Sequence, residues 1–370
     1  MEFLIVSLAG CLGFNNGAND NFKGFATSWG TQTLSYRQSI IWATLATVAG
    51  SLMSIYWAHS LLHAFSGAGL VPDALLTTPA FMASVSGGAA ITIFVATRWG
   101  WPVSTTHALL GALLGAGLTQ GFQGIHVQAL LHGFVAPLLI SPLVAAMLSM
   151  GIVRRFSSSK ALTSATLETC LCIRPESRLA VSADGVATYR QGLQPEFIVA
   201  SQADCTQDQL PLRLNPQAIR DRLHVGSALA ICFARGVNDT PKLAALMVAG
   251  KILSIPMATL NISMLMGLGG LVFARRVAET LSLRVSHLRP EQGLMANLVT
   301  AGLVLFASRL GLPVSTTHVA VGSIAGAGAG AHSLNTSTLR NILLSWIATL
   351  PLAALLSALT LQLLHAIAPA

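Results

Sequence analysis

Arg98-Trp99-Gly100-Trp101-Pro102-Val103-Ser104-Thr105-Thr106-His107 returns in the C-terminal half as Arg309-Leu310-Gly311-Leu312-Pro313-Val314-Ser315-Thr316-Thr317-His318. A second string, Phe14-Asn15-Asn16-Gly17-Ala18-Asn19-Asp20-Asn21-Phe22-Lys23, returns as Phe233-Ala234-Arg235-Gly236-Val237-Asn238-Asp239-Thr240-Pro241-Lys242. Two unrelated polar strings repeating in the same order mark a duplication. Each string interrupts or ends an apolar run, and that placement decides the fold.

The runs around the strings are long. The 370 residues are 53% hydrophobic and only 9% charged, with a mean hydropathy of +0.66, where a soluble domain carries about 25% charged residues. A soluble domain cannot hide so much apolar surface, so a water-soluble enzyme and a disordered chain are both excluded. Period-2 strands are not evident, and apolar runs of about 20 residues dominate, which predicts helices and not an outer-membrane barrel. Abundant Gly, Ala and Ser suit helices packed closely through small faces.

Ten apolar segments emerge: Phe3 to Trp29 (interrupted), Ile40 to Phe65, Pro79 to Thr97, Ser104 to Leu118, Val127 to Val153, Leu223 to Ala249 (interrupted), Leu253 to Phe273, Leu294 to Ser308, Ser315 to Ala329 and Leu339 to Ile367. An all-α integral membrane protein is predicted: a first repeat over 1–153, a polar loop over 154–222 and a second repeat over 223–370. Five segments per half is an odd number, so the second copy enters the membrane the opposite way. Parity survives if the third and fourth segments of each half form a re-entrant hairpin. Inverted repeats broken at corresponding positions are the architecture of secondary transporters, with the site where the copies meet.

The formal net charge is +8, yet its location matters more than its sum. Nine basic residues lie between Arg154 and Arg222 beside seven acidic ones, a mixed loop and not a nucleic-acid surface. Arg154, Arg155, Lys160, Arg220 and Arg222 crowd against the flanking apolar segments, and Arg275, Arg276, Arg284 and Arg289 follow the seventh. Both loops fall on one side, cytoplasmic by the positive-inside rule, for a multi-pass protein of the inner (plasma) membrane with both termini outside. Five cysteines give no disulfide framework. Cys170, Cys172 and Cys205 share the loop without a His, a weak metal-binding pattern. Leu8-Ala9-Gly10-Cys11 imitates a lipoprotein cleavage box but lacks a basic leader, and reads as part of the first segment.

Asp20 and Asp239 are the only acidic residues inside apolar segments. Each stands beside an amide, Asn19 or Asn238, on a stretch that Gly can unwind, and carboxylate and carbonyl oxygens suit a small hard cation such as Na⁺ or a carried proton. A coupling ion is therefore expected at Asn16, Asp20 and Asp239, with Asp20 and Asp239 as metal ligands if the ion is Na⁺; no other cofactor is expected. A plainer reading pairs Asp20 with Lys23 and Asp239 with Lys242 at i,i+3. Ser104, Thr105 and Thr106, with Ser315, Thr316 and Thr317, each follow a Pro suited to a helix start, and hydroxyls with free N–H groups at helix N-termini make an oxyanion cradle. N-capping alone is the plainer reading there. Arg235 stands where the first copy has Asn16, and is either an anion ligand or an i,i+4 partner of Asp239. His107 and His318 are helix-helix partners or proton relays, and Arg98 and Arg309 are anchors beside the hairpin tips.

The paired Gly-Ala-Asn-Asp and Pro-Val-Ser-Thr-Thr-His strings, in two copies around a polar loop, resemble the inorganic phosphate transporter (PiT) family over nearly all of the chain except the loop. The resemblance implies secondary carriers that import phosphate with Na⁺ or H⁺, built as inverted repeats with hairpins and commonly homodimeric in the bilayer. Asn19, Asp20, Asn238 and Asp239, with Ser104, Thr105, Thr106, Ser315, Thr316 and Thr317, match that family's substrate and ion positions. Asn21-Phe22-Lys23-Gly24 and Arg235 depart from many phosphate members and resemble a bacterial branch with some sulfate-carrying relatives. Phosphate has a proton to donate at neutral pH and sulfate has none, so the aspartates favour phosphate over sulfate. An intramembrane phosphotransferase using His107, His318 and the aspartates is the remaining alternative. It is disfavoured because alternating access needs two mirror copies of a site and catalysis does not.

Overall fold

The computed structural model describes residues 1–67, 69–119, 121, 125–157, 169–181, 187–201 and 212–367. Ten helices of fourteen residues or more run through these residues: α1 (Glu2–Asp20), α2 (Tyr36–Trp57), α3 (Pro79–Arg98), α4 (Thr105–Leu118), α5 (Ala136–Ser157), α6 (Pro216–Ala249), α7 (Ile255–Phe273), α8 (Pro290–Arg309), α9 (Thr316–Gly330) and α10 (Thr336–Ile367). Local chemistry sets several of their starts, α2, α6 and α8 beginning ahead of their apolar runs, at Tyr36, Pro216 and Pro290. Ser35 and Gln38 form a capping box for α2, Pro79 and Pro290 open α3 and α8, and the Ser104 and Ser315 side chains cap α4 and α9. Five spans, among them α2, α3, α7 and α10, are long and apolar enough to cross a membrane. α4 and α9, with 14 and 15 residues, reach only about 21–23 Å and fall short of a hydrocarbon core of about 30 Å.

These two short helices are the return arms of hairpins α3–α4 and α8–α9, which pack arm on arm. Both hairpins turn through a glycine at φ +70°, Gly100 and Gly311, a backbone conformation that strains residues bearing a Cβ. After each turn, three residues run without helical structure before the capping serine, and this open backbone carries the tip.

The halves clasp each other by exchange. α1 lies against α7 so closely that a Cβ on Gly17 would sit 2.0 Å from the Met266 carbonyl oxygen, and one on Gly269 1.9 Å from that of Phe14. The counterpart pair, α6 against α2, repeats this at Gly236 and Gly50, with Cβ positions 2.2 Å from the Thr47 oxygen and 2.0 Å from the Phe233 oxygen. Likewise α4 packs on α10 and α9 on α5 through glycines facing backbone. Small-residue contacts of this kind let helices associate where lipid gives no hydrophobic push.

Two expectations change. The sixth segment is not interrupted: α6 is one helix of 34 residues with Pro241 inside it. Packing against α2 outweighs the local tendency of Gly and Pro to unwind, and neighbouring helices make an interior proline tolerable. The first segment does break as expected, at the end of its string: α1 stops at Asp20, Asn21 and Phe22 form a turn, and a 3-10 turn (Lys23–Phe25) and a short helix (Ala26–Gly30) follow. Strands also occur, in the central loop: β1 (Thr169–Val181), β2 (Ala187–Ser201) and β3 (Leu212–Leu214) pair antiparallel in the order β2-β1-β3, with an irregularity between Pro175 and Ser177. Runs such as Thr169-Cys170-Leu171-Cys172-Ile173 and Phe197-Ile198-Val199 have strand propensity that the loop's overall polarity concealed. Contacts divide the chain into a helical body, Met1–Arg154 with His224–Ala370, and a smaller unit, Arg155–Leu223. Lys160 and Cys205 lie outside the described residues.

Candidate functional site

The end of α1 with the 3-10 turn that follows it, and the matching stretch of α6, carry the buried charges. Asp20, Lys23, Arg235, Asp239 and Lys242 are each no more than 2% exposed. Burial of unpaired charges is costly; the counter-charges come from the same motifs, and the hairpin tips add hydroxyl and carbonyl partners.

The first-copy carboxylate, Asp20, pairs with Lys23 through Oδ1 and accepts at Oδ2 from Asn16 Nδ2 (3.4 Å) and Thr105 Oγ1 (3.5 Å). Asn16 Nδ2 also donates to Thr105 Oγ1 at 2.7 Å. In the second copy, Asp239 Oδ1 accepts from Asn238 Nδ2 (3.0 Å) and Lys242 Nζ (3.5 Å), while Oδ2 faces Thr316 Oγ1 (3.4 Å) and Arg235 Nε (3.6 Å). The i,i+3 pairings therefore form in both copies.

Each lysine also crosses to the other repeat. Lys23 Nζ donates to Thr317 Oγ1 and to the Val103 carbonyl oxygen (3.4 Å). Lys242 Nζ donates to Thr106 Oγ1 (3.0 Å) and to the Val314 carbonyl oxygen (2.7 Å). The tips touch directly as well: Thr317 Oγ1 donates to Val103 O (2.8 Å) and Thr106 Oγ1 to Val314 O (3.4 Å). Every hydroxyl of the two triplets is buried.

Asn19 and Asn238 hold the hairpins. Asn19 Nδ2 donates to Thr97 Oγ1 (3.0 Å) and Trp101 O (2.9 Å), and its Oδ1 accepts from Val103 N (3.2 Å). Asn238 Oδ1 accepts from Ser308 Oγ (3.1 Å), and Nδ2 reaches Val314 O (3.4 Å). Ser104 and Ser315 accept from the His107 and His318 backbone N–H groups at 3.1 and 3.2 Å. Capping uses the oxygen's lone pair and leaves the hydroxyl proton to donate, so cap and anion donor are compatible roles.

Arg235 reaches into the first repeat, donating to Asn16 Oδ1 (2.6 Å), Asn21 Oδ1 (3.0 Å) and Thr47 Oγ1 (3.3 Å). His107 and His318 meet edge to face at 4.4 Å, and His318 stacks on Trp346 at 3.8 Å. Trp346 Nε1 in turn donates to Pro102 O at 3.0 Å. Arg98 and Arg309 are exposed.

Sequence reasoning missed Asn21, Thr47 and Trp346, and a neighbouring buried network in which Thr27 bonds His224 (2.9 Å) and Asn297 (3.0 Å), with Asn297 also bonding Ser227 (3.2 Å). A lone Asn in the apolar eighth segment was the available signal for Asn297. Among the described residues no group of three or more His, Cys, Asp or Glu side chains could hold a metal.

The sequence pattern of the phosphate transporter family matches residues 16–357. The chain belongs to that family. It is 27% identical to "Inorganic phosphate transporter 2-1, chloroplastic" of Arabidopsis thaliana, over 94% of this chain and 69% of that one. Among solved structures it resembles one titled "The sodium-dependent phosphate transporter", with a TM-score of 0.77 and 23% identity over 99% of each chain, a likeness of fold. Phosphate is the family's substrate, and its members are transporters.

Proposed function

We propose that the protein imports inorganic phosphate in symport with a cation, Na⁺ or H⁺, by alternating access of two inverted repeats. One observation carries the reading: two hairpin tips, one from each repeat, meet at six buried hydroxyls flanked by three cationic and two anionic side chains. With all five ionised, the cluster keeps one net positive charge, which favours an oxyanion. Ser104, Thr105, Thr106, Arg235, Ser315, Thr316 and Thr317 are the proposed anion donors. Asn19 and Asn238 hold the tips that present them, and Asp20 and Asp239 accept the phosphate proton, which favours phosphate over sulfate. Rocking of one repeat against the other would expose the cluster to each side in turn. The protein would sit in the plasma membrane, as a homodimer, with its central loop cytoplasmic.

Proteoliposomes loaded on one side with labelled phosphate or labelled sulfate, under imposed Na⁺ or proton gradients, test this. Gradient-driven phosphate uptake that excess sulfate does not compete away is the expected result; preferential sulfate uptake would make it a sulfate permease. Ser104→Ala with Ser315→Ala is expected to weaken apparent phosphate affinity as well as costing about 1 kcal/mol of stability per lost cap. Unchanged affinity with the stability loss alone would return both serines to capping.

A further inference from the structure

The hydrogen-bond partners of Lys23 and Lys242 are all oxygens, as a metal cation's are, although Lys242 Nζ also lies over the Phe65 ring, 5.5 Å from its centroid. The three N–H donors of Lys23 meet the Asp20 carboxylate, the Val103 carbonyl oxygen and the Thr317 hydroxyl. Those of Lys242 meet Asp239 Oδ1 at 3.5 Å, the Val314 carbonyl oxygen at 2.7 Å and the Thr106 hydroxyl at 3.0 Å. Each shell holds one carboxylate, one carbonyl from non-helical hairpin backbone and one hydroxyl from the opposite repeat. That all-oxygen set with one negative charge is what a transporter offers a coupling Na⁺. Here three ammonium protons meet three oxygens in both copies, so neither shell has a vacant place.

Each carboxylate already accepts three hydrogen bonds, which leaves a lone pair for one phosphate proton but no place for a metal shell. Asp20 Oδ2 is taken by Asn16 and Thr105, and Asp239 Oδ2 lies between Thr316 and the Arg235 guanidinium. A Na⁺ at either aspartate would stand beside an ammonium that is buried and tied to its own backbone. The expected Na⁺ site at Asp20 and Asp239 therefore does not fit the residues present. A mere i,i+3 pair needs only the aspartate; reaching the other repeat's threonine is what makes these lysines part of the junction.

We infer that the Lys23 and Lys242 ammonium groups are tethered cations filling the coupling-cation positions, so that phosphate transport by this protein does not depend on Na⁺. The inference rests on the transport reading above and narrows its coupling ion. It is tested on the full-length protein in proteoliposomes, with labelled phosphate for uptake and radioactive Na⁺ for binding. Wild-type uptake in choline medium under an inward proton gradient is expected to gain nothing from added Na⁺, where a coupled ion typically shifts affinity about 5-fold or more; wild-type Na⁺ binding is expected to stay at background. Lys23→Ala empties one shell and leaves Asp20 unpaired, so sodium-free uptake is expected to fall about a hundredfold, with Na⁺ binding appearing and uptake partly restored by Na⁺. Na⁺-dependent uptake or Na⁺ binding by the wild type overturns the inference, as does a folded Lys23→Ala protein that binds no Na⁺. Should the wild type take up no phosphate in any medium, the transport reading fails, and the binding measurements still decide whether the lysines fill cation sites.

Discussion

Asp239→Asn is expected to abolish phosphate uptake and to cost about 3–5 kcal/mol of stability, the penalty for stripping a buried charge of its partner. The carboxylate faces Lys242 at 3.5 Å and Arg235 at 3.6 Å, so the amide would leave two cations without their nearest counter-charge. The isosteric amide can still accept from Thr316, which separates charge loss from shape loss. Combining Asp239→Asn with Lys242→Met removes one orphaned cation and is expected to recover part of the stability without recovering uptake. Thermal unfolding in detergent and labelled-phosphate uptake read the two effects separately. Wild-type uptake by the folded single variant would remove Asp239 from the transport site.

Gly17→Ala is expected to destabilise the helical body by about 2–3 kcal/mol through overpacking, although alanine is the better helix former by about 1 kcal/mol. The clash outweighs the propensity because the new Cβ would lie 2.0 Å from the Met266 carbonyl oxygen and 2.8 Å from its Cα. Backbone atoms cannot rotate away, so α1 and α7 would have to separate at the clasp between repeats. Gly302→Ala is the control, since a Cβ there meets nothing within 4 Å; it should be neutral or stabilising. Equal melting temperatures for the two variants would contradict the packing described for α1 and α7.

Periodicity and duplication made much of the architecture legible. Long apolar runs located the helices, although α6 begins at Pro216 in the polar stretch ahead of its run, and the Pro-Val-Ser-Thr-Thr strings located both hairpin tips because a proline followed by hydroxyls is a strong helix-start signal. Pairing of Asp20 with Lys23 and Asp239 with Lys242 was readable from spacing. Their crossing to Thr317 and Thr106 was not, because spacing along one helix says nothing about what faces it from the other half of the chain. The same limit hid the anchoring of Arg235 by Asn21 and Thr47. Gly236 and Pro241 misled in the other direction: as local signals they suggested an unwound stretch, whereas in the fold Gly236 permits close approach to α2 and Pro241 sits within a continuous helix. The strands of the central loop were lost because polarity was averaged over the whole loop.

The proposed phosphate site lies where the two hairpin tips meet. Equilibrium binding of labelled phosphate to the purified protein, compared with Thr106→Val combined with Thr317→Val, tests it most directly, since valine keeps the shape of threonine and removes the hydroxyl. The wild type is expected to bind phosphate, and the folded double variant to lose about tenfold or more in affinity, each buried hydrogen bond to a charged group contributing about 1.5–3 kcal/mol. Unchanged affinity in a folded double variant would contradict it and place the anion elsewhere.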